Sequence, residues 1–70
     1  MRDRLEQLVS EMVAKGIRYE DARREFDKHF IAQVVAKCDG NLGQAATTLD
    51  MHRNTLTRKI QELKIRALRP

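Results

Sequence analysis

Residues 40–63, GNLGQAATTLDMHRNTLTRKIQEL, read as two short helices joined by a tight turn, the second of them strongly basic. That is the pattern of a helix-turn-helix that reads DNA. It constrains the chain more than any other feature. Two helices this close need small residues where they meet, which Ala45 and Ala46 supply, and an abrupt exit from the first helix, which Asp50 and Met51 would provide.

The charge distribution points the same way. Residues 1–50 hold eight Lys and Arg against nine Asp and Glu, whereas residues 51–70 hold six (Arg53, Arg58, Lys59, Lys64, Arg66, Arg69) against Glu62 alone. The formal net charge of +4 therefore belongs to one end of a near-neutral body. Positive charge gathered on one surface is what a polyanion-binding module needs. A solubilising face is the plainer explanation of a basic end, but here the charge lies on an expected helix with Thr and Asn interleaved.

Seventy residues make one domain, and a chain this short buries too little surface to be robust alone. Cys38 is the only cysteine, so neither an internal disulfide nor a cysteine-based metal site reinforces it. Oligomerisation is the remaining route to stability. No segment has the shape of a signal peptide or approaches the roughly 18 apolar residues of a membrane span. The expectation is a soluble cytoplasmic protein with no membrane, cofactor, metal or small-molecule substrate.

Apolar periodicity divides the chain into four helices. Leu5, Leu8, Val9, Met12 and Val13 form one stripe of a helix over about residues 2–15, with Gly16 as its left-handed stop and Ile17 folding back. A second helix starts near Tyr19, with Glu20 and Asp21 at its positive end. Its stripe is Ala22, Phe26, Phe30, Ile31, Val34, Val35 and Cys38, and Gly40 ends it. Asn41 and Gln44 make a capping-box pattern for a third helix over about residues 42–49, with Leu42, Ala45, Ala46 and Leu49 inward. The fourth helix begins near His52 or Arg53; Leu56, Ile60 and Leu63 face inward, and Asn54, Arg58 and Gln61 face outward. Residues 64–70 are expected to be a frayed tail.

From about residue 25 to residue 65 the sequence resembles the Fis family of bacterial DNA-binding domains. The resemblance rests on the aromatic-bearing helix FDKHFIAQVVAKCDG, then GN, the AA pair, a turn, and the R-x-T-L-x-x-K-I helix formed by Arg53, Thr55, Leu56, Lys59 and Ile60. The same domain occurs as the C-terminal output module of enhancer-binding activators and of some response regulators. The implied fold is all-α: a four-helix Fis-like domain with a C-terminal helix-turn-helix, intertwined as a homodimer. Residues 1–39 would be the two-helix dimerisation region and 41–63 the helix-turn-helix of a single domain spanning residues 1–70. The implied interface comprises Leu5, Leu8, Met12, Phe26, Phe30 and Val34. Double-stranded DNA is the implied partner, bound sequence-selectively or architecturally, in the bacterial nucleoid. By position, Asn41 with Gln44 falls at the phosphate-contacting start of the third helix, and His52 and Arg53 at the base-reading start of the fourth. Asn54, Thr55, Thr57, Arg58 and Lys59 would anchor the backbone or flank the groove. Arg53 is the leading base-reading candidate, since a guanidinium pairs bidentately with guanine O6 and N7.

The chain departs from the family pattern in four places. Asp50 stands where many members have a turn glycine, so a left-handed backbone there carries a steric cost. His52, a DNA-contact candidate with a simple helix cap as the plainer alternative, replaces a small polar residue, and Gly43 stands at the position of a phosphate-contacting hydroxyl. The chain starts directly in its first helix, without the arm by which the family's nucleoid-associated member stimulates recombinases, so that activity is not expected. Base preference does not transfer across such changes.

Other residues invite stories that plainer readings cover. Cys38 reads as a small buried hydrophobe, His29 as a solvated helix residue, Met12 and Met51 as core, and Tyr19, Phe26 and Phe30 as packing anchors. Pairs such as Arg23 with Asp27 add about 0.2–0.5 kcal/mol each. Ser10 is the sole serine, and no G-x-x-x-x-G-K-[ST] phosphate loop is present, so no enzyme is expected and any regulation would act without ATP hydrolysis. Two readings compete with DNA binding. One is a helical adaptor that partners another transcription factor; the other is an RNA binder, disfavoured because an A-form major groove does not admit a helix.

Overall fold

The computed structural model describes residues 2–65. They form α1 (Arg2–Ala14), α2 (Tyr19–Lys37), α3 (Leu42–Leu49) and α4 (Arg53–Leu63), and no strand occurs among the described residues. The helices fall where the apolar periodicity predicts them. Helices α2, α3 and α4 pack against one another pairwise, while α1 has no buried residue.

All four helices end by one device. The residue leaving each helix adopts a left-handed backbone, and two successive N–H groups fold back on the carbonyls of the last turn. After α1, Gly16 donates to Val13 and Ile17 to Met12, at 3.0 and 3.1 Å. After α2, Asp39 donates to Ala36 and Gly40 to Val35, both at 3.0 Å. After α3, Asp50 donates to Thr47 and Met51 to Ala46, at 3.1 and 3.0 Å. After α4, Lys64 donates to Gln61 and Ile65 to Ile60, at 3.3 and 3.1 Å. Only Gly16 is the glycine that such a position favours; Asp39, Asp50 and Lys64 hold φ of 54°, 56° and 56° with a Cβ in place. The stop assigned to Gly40 therefore begins one residue earlier.

The helix starts differ more. Asn41 Oδ1 accepts the Gln44 N–H at 3.0 Å, which is half of the expected capping box. The other half is not made, because the Asn41 N–H donates to the Cys38 carbonyl at 2.9 Å. Helix α2 has no side-chain cap at Arg18 and relies on Glu20 and Asp21 in its first turn. Arg23 bridges Glu20 at 3.0 Å and Asp27 at 3.3 Å. The Glu20 hydrogen bond, and then the nearby negative charges, raise the Arg23 pKa above its already high ordinary value.

The core is small and lies to one side. Ile31 and Val35 of α2, Ala45 and Ala46 of α3, and Leu56, Ile60 and Leu63 of α4 are buried, with Ile65 closing the end. Leu56 and Val35 are fully enclosed. Ala32, Val34, Cys38, Leu42, Leu49 and Met51 pack partly buried around them. Cys38 and Met51 are thus the packing residues expected. Some expectations of the packing fail. Lys64 and Ile65 do not fray: Lys64 makes the helix stop and Ile65 is only 6% exposed, because the fold-back turn returns its side chain to the core beside Ile60. The rest of the expected tail, with Arg66 and Arg69, lies outside the described residues. Tyr19 is not a buried packing anchor among the described residues, being 77% exposed at the first turn of α2.

The apolar stripe of α2 consequently splits. Ile31 and Val35 enter the core, whereas Phe26 and Phe30 remain 56% and 50% exposed, their rings 5.3 Å apart. With Leu5, Leu8, Val9, Met12 and Val13 of α1 they line one open apolar groove, to which Ile17, Tyr19, Ala22 and Val34 also contribute. Met12 is half-buried in this groove and is not part of the core.

Candidate nucleic-acid interface

The surface formed by α3 and α4 is built by two backbone turns and one buried side chain. The stop at Asp50 ends α3, His52 starts α4 from an extended backbone (φ −68°, ψ 145°), and the Leu56 side chain locks the two helices together. Ala45 and Ala46 are 0% and 4% exposed, and their small side chains let α4 approach closely. The buried positions 56, 60 and 63 of α4 leave the opposite side, 54, 58 and 61, to solvent. Asn54, Arg58 and Gln61 therefore form one exposed polar face, with Arg53 and His52 exposed at its start.

The remaining candidate residues occupy three other settings. Asn41 and Gln44 are exposed at the start of α3, but the Asn41 carboxamide oxygen is engaged as the helix cap. Thr55 and Thr57 are half-buried on the flanks of α4. Lys59 is also half-buried, on the side toward α2, where it lines a shallow groove with Asp27, Phe26, Phe30, Leu49 and Met51. Lys59 is thus set apart from the face that carries Arg58. Gln61 was not among the candidate site residues, although its spacing from Asn54 and Arg58 was enough to include it. Thr47 lies exposed beside Gly43 on α3, but its hydroxyl donates to the Gly43 carbonyl at 3.2 Å.

His52 is more than a member of this surface. Its Nδ1 accepts the Asn54 N–H at 3.1 Å, so the imidazole caps α4. No buried polar side-chain atom among the described residues lacks a partner. None of the described His, Cys, Asp and Glu residues form a group of three that would hold a metal ion, and no described helix is long and apolar enough to cross a membrane.

A sequence model described as bacterial regulatory protein, Fis family, matches residues 22–63, more than half of the chain. The chain belongs to the Fis family. The match begins in the first turns of α2 and ends with α4, so it spans the whole packed core of this Fis-family chain except Ile65, and omits α1. Comparison with curated proteins and with solved structures found no match. The family is one of DNA-binding transcription regulators, and the α3–α4 pair is its helix-turn-helix.

Proposed function

We propose that this Fis-family chain acts as a homodimer that places α4 of each protomer in the major groove of double-stranded DNA, reading bases selectively and regulating transcription by occupying its sites. The observation that carries the reading is the exposed face of α4, where Arg53 and Arg58 stand with Asn54 and His52 on a helix held rigidly by the fully buried Leu56. Arg53, in the first turn, is the base-reading residue, with guanine O6 and N7 as its natural partners. Asn41 and Gln44 meet phosphate from α3, and Thr55, Thr57, Arg58 and Lys59 hold the backbone on either side of the groove.

The dimer reading is supported by where the exposed apolar side chains lie. Leu5, Leu8, Val9, Val13, Ile17, Tyr19, Phe26 and Phe30 are each 41–77% exposed, and all of them line the same groove of α1 and α2. Monomers rarely leave so contiguous an apolar surface in water. A second copy presenting the same face is the self-complementary partner that two-fold symmetry supplies. On this reading the bacterial nucleoid is where the protein works, residues 1–39 make the dimer and 41–63 read DNA.

The test is fluorescence-anisotropy binding to random and selected duplexes across a salt series, with Arg53→Ala beside the wild type. Binding weakens with salt as condensed counterions are released, and Arg53→Ala loses about 1–3 kcal/mol, mainly on the preferred sequence. Absence of duplex binding at low salt would reject this reading. The same uncovered α1–α2 face favours a second one, an adaptor for another transcription factor, in which Arg53→Ala leaves function intact and changes on α1 abolish it.

A further inference from the structure

His52 has two ring nitrogens, and the fold uses one of them. Nδ1 accepts the Asn54 N–H, while the imidazole as a whole remains exposed. An acceptor nitrogen presents a lone pair, so in this arrangement the ring is neutral and its proton sits on Nε2. Among the described residues Nε2 has no hydrogen-bond partner, and it lies at the end of the ring away from the helix backbone. A free imidazole offers either a donor or an acceptor to whatever approaches it. The capped one offers only a donor.

That restriction bears on recognition, since base edges in the major groove differ in their order of donors and acceptors. Purine N7, guanine O6 and thymine O4 accept, whereas adenine N6 and cytosine N4 donate. Phosphate oxygens also accept. We propose that the capping bond of His52 fixes the Nε2–H tautomer and makes the side chain an obligate donor to an acceptor atom of DNA. The inference rests on the DNA reading above and adds to it the chemistry of one contact. It also accounts for a residue larger than a helix start requires. Serine or asparagine caps as well, but neither carries a donor so far from the backbone.

Two measurements test it. In the first, the imidazole nitrogens are observed by 15N NMR at about pH 8, where an ordinary imidazole is neutral. The expected spectrum shows one tautomer, with a pyridine-type Nδ1 and a pyrrole-type Nε2 carrying the proton; averaged nitrogens would overturn the proposal. In the second, wild type and His52→Ser are titrated against the tightest duplex selected from a random pool. The same titration is repeated on versions that each lack one acceptor: 7-deazapurine, 2-aminopurine for guanine, 5-methyl-2-pyrimidinone for thymine, and methylphosphonate.

Serine keeps the cap and removes the distant donor. One deletion is expected to weaken the wild type about fivefold more than His52→Ser, and its identity tells a base acceptor from a phosphate oxygen. If every deletion affects the two proteins equally, His52 donates to nothing and the proposal falls. If the wild type binds no duplex at all, the DNA reading falls first and the contact with it. That failure is distinguishable from a mixed tautomer in the free protein. His52→Ala, which removes cap and donor together, is expected to lose thermal stability that His52→Ser retains.

Discussion

At the residue scale, the main departure from economy is the use of side-chain-bearing residues in left-handed backbone. Asp39, Asp50 and Lys64 each sit at φ near 55° where a glycine meets no Cβ penalty. Asp tolerates the conformation better than Lys, because its short polar side chain bonds locally. Lys64→Gly is therefore expected to stabilise the protein by about 0.5–1 kcal/mol, and Asp50→Gly by less. Urea denaturation of the variants at a single protein concentration checks both. Loss of stability in Lys64→Gly would mean that the lysine side chain contributes more than its backbone costs.

The value of these residues is positional. Asp50 aims the chain from α3 into α4, and Lys64 lets Ile65 return to the core. The periodicity of α4 ended at Leu63, so the continuation to Ile65 was not legible as structure. A single apolar residue after a helix has no period, and only the fold-back hydrogen bonds show that it is held.

At the element scale, the sequence marks helix starts and stops well, because capping is local chemistry. Asn41 before α3 was readable from residue type alone, and it caps as expected. Asn41→Ala is expected to cost about 1 kcal/mol of stability, since the Gln44 N–H then loses its acceptor and α3, at eight residues, has little else to hold its first turn. Thermal denaturation followed by circular dichroism measures the loss. An unchanged midpoint would show that water replaces the cap without cost.

The reciprocal bond of the capping box was legible as a pattern and yet is absent. The Asn41 N–H is already taken by Cys38 O, an outcome of the turn out of α2 that no pattern within α3 contains. His52 is the converse case. The sequence offers it at the start of α4 as a contact residue or a simple cap, and the geometry shows that its ring is the cap.

At the scale of the whole molecule, the chain is unevenly finished. The core joins the C-terminal half of α2 to α3 and α4, whereas α1 and the first half of α2 hold their apolar side chains in an open groove. Folding and association are therefore expected to be coupled, with a melting temperature that rises with protein concentration. Phe30→Asp places a charge in the groove at a side chain that is half exposed and outside the buried core. It is expected to yield monomers in sedimentation velocity and to abolish the concentration dependence of melting. A Phe30→Asp protein that still sediments as a dimer would move the interface elsewhere.

The four helices, their stops to within a residue or two, the inward faces of α3 and α4, and the basic end are all legible along the chain. Each of these is written in local spacing, in residue type or in the sum of charges, and each is a property of neighbours along the chain. How the continuous apolar stripe of α2 is shared follows from packing between helices. A stripe says that a face seeks cover, but not which part of it another helix reaches. Packing against α3 and α4 took Ile31 and Val35 and left Phe26 and Phe30 open. The same packing divided the basic residues of α4, setting Arg58 outward and Lys59 toward Asp27 on the α2 side. The reason is geometric. Burial is a relation between segments distant in sequence, and it appears only once their relative placement is fixed.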